Sequence, residues 1–446
     1  MKKGWRAVVA ILALGFAHGP GSIPLCHAQE QNAVVQESPE GMSGRVQELE
    51  KEVDELRSEL ASLKESGKGD TSTPAAATAA APQENAASTP QPAAKSMSGS
   101  SIASLLGPTS LSGFVDMYYD YNSNQPASRT NSFRSFDGAS NQFALNLVEL
   151  VVDKTPEITN SRTGYHIALG FGQAMNAING TDPGGLGFDQ YLKEAYFSYL
   201  APVGKGLQID AGKFVTPNGA EVIETKDDLN YSRGLLFSYA IPYYHYGLRA
   251  RYAFSDKYSV SGFLVNGWNN VLDNNTGKTY GIGFGWTPNK KISFSQNFMA
   301  GPEQSNNNSN WRQLWDTVIT YSPTSRLSFT LNTDYGRGDH MKGLVDPVFW
   351  TGAAGYVKYF NEKYAVVTRY EYYDDANGFT TGTAQHFNGF TATFQRLTAG
   401  HILSRLEFRR DMSNEPTFVK GDGLPVGAQN TLAAGLVFMF DSREAK

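Results

Sequence analysis

The segment Tyr280-Gly281-Ile282-Gly283-Phe284-Gly285-Trp286 carries the pattern on which the fold depends. Large apolar side chains alternate with glycine, and successive side chains of a β-strand point to opposite faces of its sheet. The same alternation recurs at 165–172, 327–332 and 432–440. A soluble β-sandwich also alternates, but it has no reason to keep one face apolar and aromatic over roughly 300 residues. The pattern therefore favours strands that cross a membrane with their aromatic face toward lipid.

Segments of this kind recur from residue 109 onward. Those of about ten residues, the length that a membrane-spanning strand requires, number sixteen: 109–121, 142–154, 163–176, 190–200, 205–215, 243–254, 257–268, 278–287, 290–300, 311–321, 325–335, 348–360, 363–373, 386–397, 400–410 and 428–440. Short connections such as 202–204 and 288–289 alternate with long ones, as periplasmic turns and external loops do. We therefore predict an all-β fold, a transmembrane antiparallel β-barrel of about 16 strands, wide enough to enclose an aqueous channel.

The composition of the 446 residues excludes several classes of protein. Charged residues make up 18% of the chain, below the roughly 25% of ordinary soluble domains. Beyond the N-terminal segment there is no apolar run of about 18 residues, which excludes a polytopic helical membrane protein. The 38 Lys and Arg against 43 Asp and Glu exclude a nucleic-acid binder of the usual basic kind.

The N terminus has the features of a secretory signal peptide. Lys2 and Lys3 precede the apolar stretch 7–17, and Gly and Pro residues then lead to Cys26-His27-Ala28. This stretch is shorter than the about 20 residues of a membrane anchor, so we predict a signal peptide at 1–28 with cleavage after Ala28. Cleavage removes the single cysteine and with it any disulfide or thiol chemistry.

Residues 42–65 have the heptad pattern of a coiled coil. Positions a and d are occupied by Val46, Leu49, Val53, Leu56, Leu60 and Leu63, and the flanking positions pair Arg45 with Glu50, Glu52 with Arg57 and Glu59 with Lys64. A solvated amphipathic helix explains the apolar stripe but not the three charge matches, so a parallel homo-oligomer of two or three strands is favoured.

Residues 66–108 are rich in Ala, Pro and Ser and are typical of a disordered linker, which leaves 109–440 as the barrel domain.

Strand parity predicts which charged side chains face the interior of the barrel. With the aromatic face toward lipid, the inward positions hold Arg249, Arg251, Lys358, Arg369, Glu371, Arg405, Glu407 and Arg409. A charge on the lipid face would cost about 2–4 kcal/mol at the midplane, so inward placement is favoured. We predict that these residues line the pore, although some of them could simply pair across neighbouring strands.

The longest internal connection, 216–242, forms the third external loop. It carries the charges Glu221, Glu224, Asp227, Asp228, Lys226 and Arg233, followed by the apolar stretch 235–237. A loop intended only for solvent would not include that stretch, so we expect it to fold inward and constrict the pore. Its carboxylates would then face Arg249 and Arg251 and set ion preference. The alternative is an external flap held by its own apolar residues.

Part of the chain resembles a known family. The run 212–224, followed by 230–233 and 240–245, is similar to the beta-barrel porin type 2 family of bacterial outer-membrane proteins, and so is the opening 111–116. The resemblance implies a diffusion channel. The family has no assigned substrate, so the resemblance implies no substrate-binding residues. The coiled coil and linker also resemble the periplasmic front ends of phosphate-selective porins, but the acidic third loop departs from the basic ladder of those proteins.

We therefore predict an outer-membrane porin that forms a water-filled channel for passive diffusion of small hydrophilic solutes or ions. The alternatives are a substrate-selective porin for anions, phosphate or sugars, and an outer-membrane enzyme or adhesin on a barrel scaffold. Its expected partners are outer-membrane lipids, the solutes and two further copies in a homotrimer, joined through barrel and coiled coil, with the coiled coil in the periplasm. No nucleic acid, cofactor or metal is expected, because the histidines lack metal spacing, and no enzymatic activity is expected.

Reversing the charge of Glu52 and Glu59 to Lys should weaken the coiled coil, because both would then meet like charges across the helix interface. Light scattering of the detergent-solubilised protein should show partial loss of the oligomer, while the barrel still folds because the linker separates the two. An isolated 42–65 peptide that stays monomeric at high concentration would contradict the oligomerisation role.

Overall fold

The computed structural model describes residues 107–443, apart from 186 and 342. The signal peptide, the coiled coil and the linker up to residue 106 were predicted for a part of the chain outside the described residues. Within the described part, no helix is long and apolar enough to span a membrane.

Strands dominate the described chain. They are β1 (Ser110–Asn122), β2 (Gln142–Lys154), β3 (Thr163–Phe171), β4 (Leu192–Ala201), β5 (Leu207–Val215), β6 (Tyr244–Ala253), β7 (Tyr258–Val265), β8 (Thr279–Asn289), β9 (Ile292–Gln304), β10 (Asn307–Thr324), β11 (Leu327–Gly338), β12 (Val348–Phe360), β13 (Tyr364–Asp375), β14 (Gln385–Thr398), β15 (Ile402–Ser413), β16 (Phe418–Lys420), β17 (Leu424–Val426) and β18 (Ala428–Asp441). Short helical segments occur at Gln173–Asn179 (α1), at Phe188–Tyr191 and, with π-helical geometry, at Leu236–Ala240.

Sixteen of these strands, β1 to β15 and β18, form one closed antiparallel barrel. Strands β1 to β15 pair in sequence order, β15 then pairs with β18, and β1 pairs with β18 from Ser112 opposite Asp441 to Asn122 opposite Thr431. Closure leaves no sheet edge, so the backbone groups of the strands are satisfied without water. This confirms the predicted all-β barrel of about 16 strands.

The two faces of the barrel follow the alternation in the sequence. On β8, Tyr280 and Ile282 point outward and are 56% and 60% exposed. Gly281 points inward, directly opposite Phe263 of β7. A Cβ at Gly281 would collide with the Phe263 ring, so glycine lets that ring lie flat on the inner wall.

The connections differ in length at the two ends of the barrel. The turns at the end that holds both barrel termini are short, such as 290–291 and 325–326, which is typical of the periplasmic end. The opposite end carries the long loops, including the hairpin of β16 and β17. The third strand ends earlier than the predicted 163–176, because Gly172 adopts φ 126° and α1 begins immediately after it.

Substituting Leu331 by Arg should lower the free energy of unfolding by about 2–4 kcal/mol, because Leu331 is an outward residue between the aromatic positions Phe329 and Tyr335. Thr330 gives a matched control, since its side chain faces the lumen and contacts Thr320. Urea unfolding in lipid vesicles should show a clearly smaller cost for Thr330→Arg. Equal costs for the two variants would contradict the assignment of the faces.

Candidate functional site

The loop between β5 and β6, residues 216–243, crosses the interior of the barrel, and we call it the lumen loop. It leaves the wall at Val215 and contacts the inner faces of β13 and β15 on the far side of the barrel. Its segment 230–237 is buried along most of its length. A buried loop must satisfy its backbone polar groups, and charged side chains of the wall satisfy many of them.

Arg369 of β13 is one of the residues that hold the lumen loop. Its Nη1 donates to Glu221 Oε1 at 2.7 Å and to the Ser232 carbonyl at 2.7 Å. Glu371, two residues along the same strand, accepts a hydrogen bond from the Leu235 N–H at 2.7 Å. The arginine and both carboxylates are excluded from solvent. Charge-assisted contacts in such a setting are short and strong, so this cluster fixes the position of the loop.

β15 supplies the second set of contacts. Arg405 donates to the carbonyl oxygens of Thr225, Asp228 and Asn230 at 2.6, 2.5 and 2.9 Å. Glu407 accepts hydrogen bonds from the backbone N–H groups of Tyr231 and Ser232 at 2.6 and 2.9 Å, and Arg409 donates to the Arg233 carbonyl at 2.6 Å. Three consecutive inward positions of one strand therefore hold the backbone of the loop.

Contacts within the loop also hold its shape. Glu221 Oε2 accepts a hydrogen bond from the Gly234 N–H at 2.6 Å, and Arg233 Nε lies 3.1 Å from Asp228 Oδ2. Burial raises the pKa of the Asp228 carboxyl, and Arg233 opposes that rise. The guanidinium of Arg233 also lies over the Phe136 ring, 4.8 Å from its centroid. These charges contact one another and do not face open water.

The apolar part of the loop packs against the wall. Leu235, Leu236 and Phe237 are buried in one cluster with residues of several strands. The segment continues as the π-helical turn Leu236–Ala240, and the Trp350 indole N–H donates to the Ala240 carbonyl at 3.0 Å. Apolar burial therefore adds to the polar contacts that hold the loop inside the barrel.

The expectation that the loop carboxylates face Arg249 and Arg251 is wrong. Asp210 of β5 lies directly opposite Arg249 in the β5–β6 register, and its Oδ2 is 3.0 Å from both guanidinium groups. Glu221 instead meets Arg369 across the lumen. The two arginines therefore already have a carboxylate partner on the adjacent strand.

The remaining loop acids lie toward the periplasmic side. Glu224 contacts Lys193 of β4, which also lies 2.8 Å from Glu149. Asp227 contacts its neighbour Lys226 and is the most exposed of the four acids, with 57% of its side chain accessible. These two carboxylates border a periplasmic cavity of about 410 Å³.

The predicted pore-lining residues all lie on the inner face but differ in exposure. Arg369, Glu371, Arg405, Glu407 and Arg409 are buried beneath the lumen loop. Arg251 has 45% of its side chain accessible and borders a second periplasmic cavity of about 410 Å³, and Lys358 is partly exposed beside the Phe360 ring. Five of the eight positions therefore hold the loop, Arg249 is buried against Asp210, and contact with water is concentrated at Arg251 and Lys358.

Sequence reasoning missed two elements of the site. Arg134, in the first external loop, contacts Asp137 and lies 2.7 Å from Asp411 of β15. The inward parity of 405, 407 and 409 extends to Asp411 and could have identified it, but no pattern marks Arg134. Lys193 was missed because the β3–β4 register shifts between Ala168 and Leu169, which turns two successive residues of β4 inward.

A cavity of about 930 Å³ lies on the external side of the lumen loop, bounded by the long loops. Within the described part of the chain, no group of three or more His, Cys, Asp or Glu side chains is placed to hold a metal ion.

A closed sixteen-stranded barrel with an aromatic outer face and a long loop folded into its lumen is the architecture of an outer-membrane porin, a channel for small hydrophilic solutes. The chain belongs to the family described as "Putative beta-barrel porin-2, OmpL-like", whose model matches residues 108–440. Membership confirms the family resemblance, the outer-membrane location and the channel function predicted from the sequence.

Solved structures share the fold at low sequence identity. In-vitro folded OmpT, an outer membrane protein of Vibrio cholerae, is 10% identical, with a TM-score of 0.50 over 74% of this chain and 97% of that chain. A trimer form of that protein is 12% identical, with a TM-score of 0.50 over 74% and 99%. An anion-selective porin from Comamonas acidovorans is 9% identical, with a TM-score of 0.51 over 74% and 99%. No curated protein matches the sequence.

Replacing Arg369 by Gln should release the lumen loop locally, because it leaves Glu221 with no cation within the cluster. Breaking one partner of a buried pair costs about 3–5 kcal/mol, so amide exchange in 230–237 should accelerate roughly a hundredfold or more. Hydrogen–deuterium exchange by mass spectrometry measures this. Arg251→Gln is the matched control, since Arg251 contacts Asp210 and not the loop. Equal protection of the loop in both variants would contradict the role of Arg369.

Proposed function

We infer that the lumen loop is the constriction of this porin and limits the size of the solutes that pass. The single observation that carries the proposal is the run of contacts from Arg369, Arg405 and Arg409 to a loop that begins on the opposite side of the barrel. A loop held at both the wall it leaves and the wall it reaches divides the lumen into an external and a periplasmic part. Solutes then pass only where the loop leaves space.

The charges around the remaining space support weak ion selectivity. Glu221 and Asp228 contact Arg369 and Arg233, so they contribute little field of their own at the constriction. The groups that stay partly accessible have both signs, with Asp227 beside one periplasmic cavity and Arg251 beside the other. The ion selectivity of a pore is set by the charged groups that are exposed to the water inside it. We therefore expect a general diffusion channel and not a strongly selective one.

The assembly and its location in the envelope are further parts of the proposal. A trimer form of the similar Vibrio cholerae protein supports a homotrimer for this chain. The heptad pattern of 42–65 supports a coiled coil that joins the copies, and the position of the barrel N terminus beside the short turns supports a periplasmic place for it. The role is that of a channel and not of an enzyme, which the family description as a porin supports.

Deleting 221–235 should widen the channel, because it removes the part of the lumen loop that reaches the far wall. Planar-bilayer recordings should show a severalfold larger single-channel conductance, and polymer exclusion should show passage of larger polyethylene glycols. Deleting 343–346, which are exposed in the external loop between β11 and β12, is the control and should leave both properties near those of the parent. An unchanged exclusion limit after the first deletion would rule out the lumen loop as the constriction.

A further inference from the structure

The cavity of about 930 Å³ above the lumen loop, which we call the vestibule, has the dimensions of a small-molecule site. Its lining comes from α1 and its following turn, from the lumen loop, and from the external ends of β9, β10 and β12 with the loops beside them. A solute entering from outside meets this cavity before it meets the constriction. Its lining chemistry therefore acts on solutes at the point of entry.

Aromatic rings form one side of the vestibule. Trp268 and Trp350 lie edge to face with centroids 6.1 Å apart, and Phe379 lies 5.2 Å from Trp350. Trp350 is buried and its N–H is used by the lumen loop, but Trp268 and Phe379 are partly exposed. Tyr239 and Tyr243 of the lumen loop also line the cavity. Flat apolar surfaces at an aqueous entrance suit ligands that have apolar C–H faces.

The charges of the lining balance. Arg312 and Glu303 are the only Asp, Glu, Lys or Arg residues among the described residues that line the vestibule. The Arg312 guanidinium is 4.8 Å from the Trp268 ring centroid and 5.0 Å from that of Phe379, so it is held between the two rings. Glu303 accepts hydrogen bonds from the backbone N–H of Trp268 and from the Thr279 hydroxyl at 2.9 and 2.5 Å. One cation and one anion create no net attraction for an ion, which favours a neutral ligand.

Two hydrogen-bond donors of the lining lack a partner in the described part of the protein. Arg312 Nε and Trp268 Nε1 have no hydrogen-bond partner among the described residues, although both atoms are shielded from bulk solvent. Donors in such positions gain from any partner that reaches them. The other polar contributors are amides and hydroxyls, several of which also bond within the protein: Gln173, Asn176, Asn269, Asn270, Asn274, Ser135, Ser238 and Thr380. Amides both donate and accept, which matches the hydroxyl groups of a polyol.

We propose that the vestibule is a binding site for neutral, hydroxyl-rich solutes of the sugar class. The ring of such a solute packs its C–H face on the parts of Trp268 and Phe379 that Arg312 leaves exposed, while its hydroxyls bond to Arg312, Glu303 and the amides. The proposal rests on the inferred porin function and adds a solute class to it. A net-charged ligand fits less well, because Glu303 would repel an anion and Arg312 would repel a cation.

The test uses the full-length mature chain and sucrose as the probe. Sucrose is added on the external side of single channels in a planar bilayer, and the ion current is recorded against its concentration. We expect a saturable decrease, whereas a polyethylene glycol of similar mass should give only the linear decrease due to viscosity. Quenching of tryptophan fluorescence in the detergent-solubilised protein gives a second measure of binding that does not depend on the constriction.

Two variants and one control locate the site. Trp268→Leu and Arg312→Gln should each raise the half-saturating sucrose concentration by about fivefold or more. Trp311→Leu is the matched control, because Trp311 is adjacent in sequence to Arg312 but is not among the lining residues. Heat-dependent migration on gels reports whether each variant folds, and Arg312→Gln tests the site if Trp268→Leu does not fold.

The outcomes separate the two proposals. Saturable binding that both variants weaken and the control retains supports the sugar site. A current decrease that matches the polymer, an equal effect of Trp311→Leu, or stronger binding of gluconate or glucosamine than of sucrose would overturn it. The constriction is tested separately by the deletion of 221–235, so the loss of either proposal leaves the other standing on its own result.

Discussion

The structure depends on one constraint, the pairing of every strand of the barrel with a neighbour on each side. In lipid an unpaired backbone N–H or C=O group has no water to bind, so an open sheet edge is not tolerated. The pairing of β1 with β18 over eleven residue pairs removes both edges at once. Because closure fixes the number of strands, it also fixes the width of the lumen and the set of side chains that faces it.

The lumen created by closure would be wide if it were empty, and the lumen loop is the reason that it is not. The loop can lie inside only because side chains of the wall satisfy its backbone polar groups. Arg405 by itself donates hydrogen bonds to three carbonyl oxygens of the loop. The inward charges of β13 and β15 thus do two things. They avoid the cost of facing lipid, and they hold a segment that divides the channel.

Particular residues show how far sequence reasoning reached. The alternation in 280–286 identified a membrane-crossing strand, and parity placed Arg369, Arg405 and Arg409 on the inner face. Strand parity predicts which face of the barrel a side chain lies on, but it predicts neither the height of the side chain along the barrel nor its partner. For that reason the predicted pairing of the loop carboxylates with Arg249 and Arg251 was wrong. Asp210 already satisfies both of those groups from the neighbouring strand. The bulge that turns Lys193 inward is likewise invisible to a period of two.

The sequence was enough to predict the membrane-crossing strands, their approximate number, their two faces and the alternation of short turns with long loops. All of these follow from local periodicity and from the low solubility of charge in lipid. The folded barrel was needed to show that Glu221 meets Arg369 and that Trp268, Phe379 and Arg312 lie around one cavity. These residues are far apart in the chain, and they are brought together by closure of the barrel and by the inward path of one loop. A local sequence pattern does not encode contacts between such distant residues.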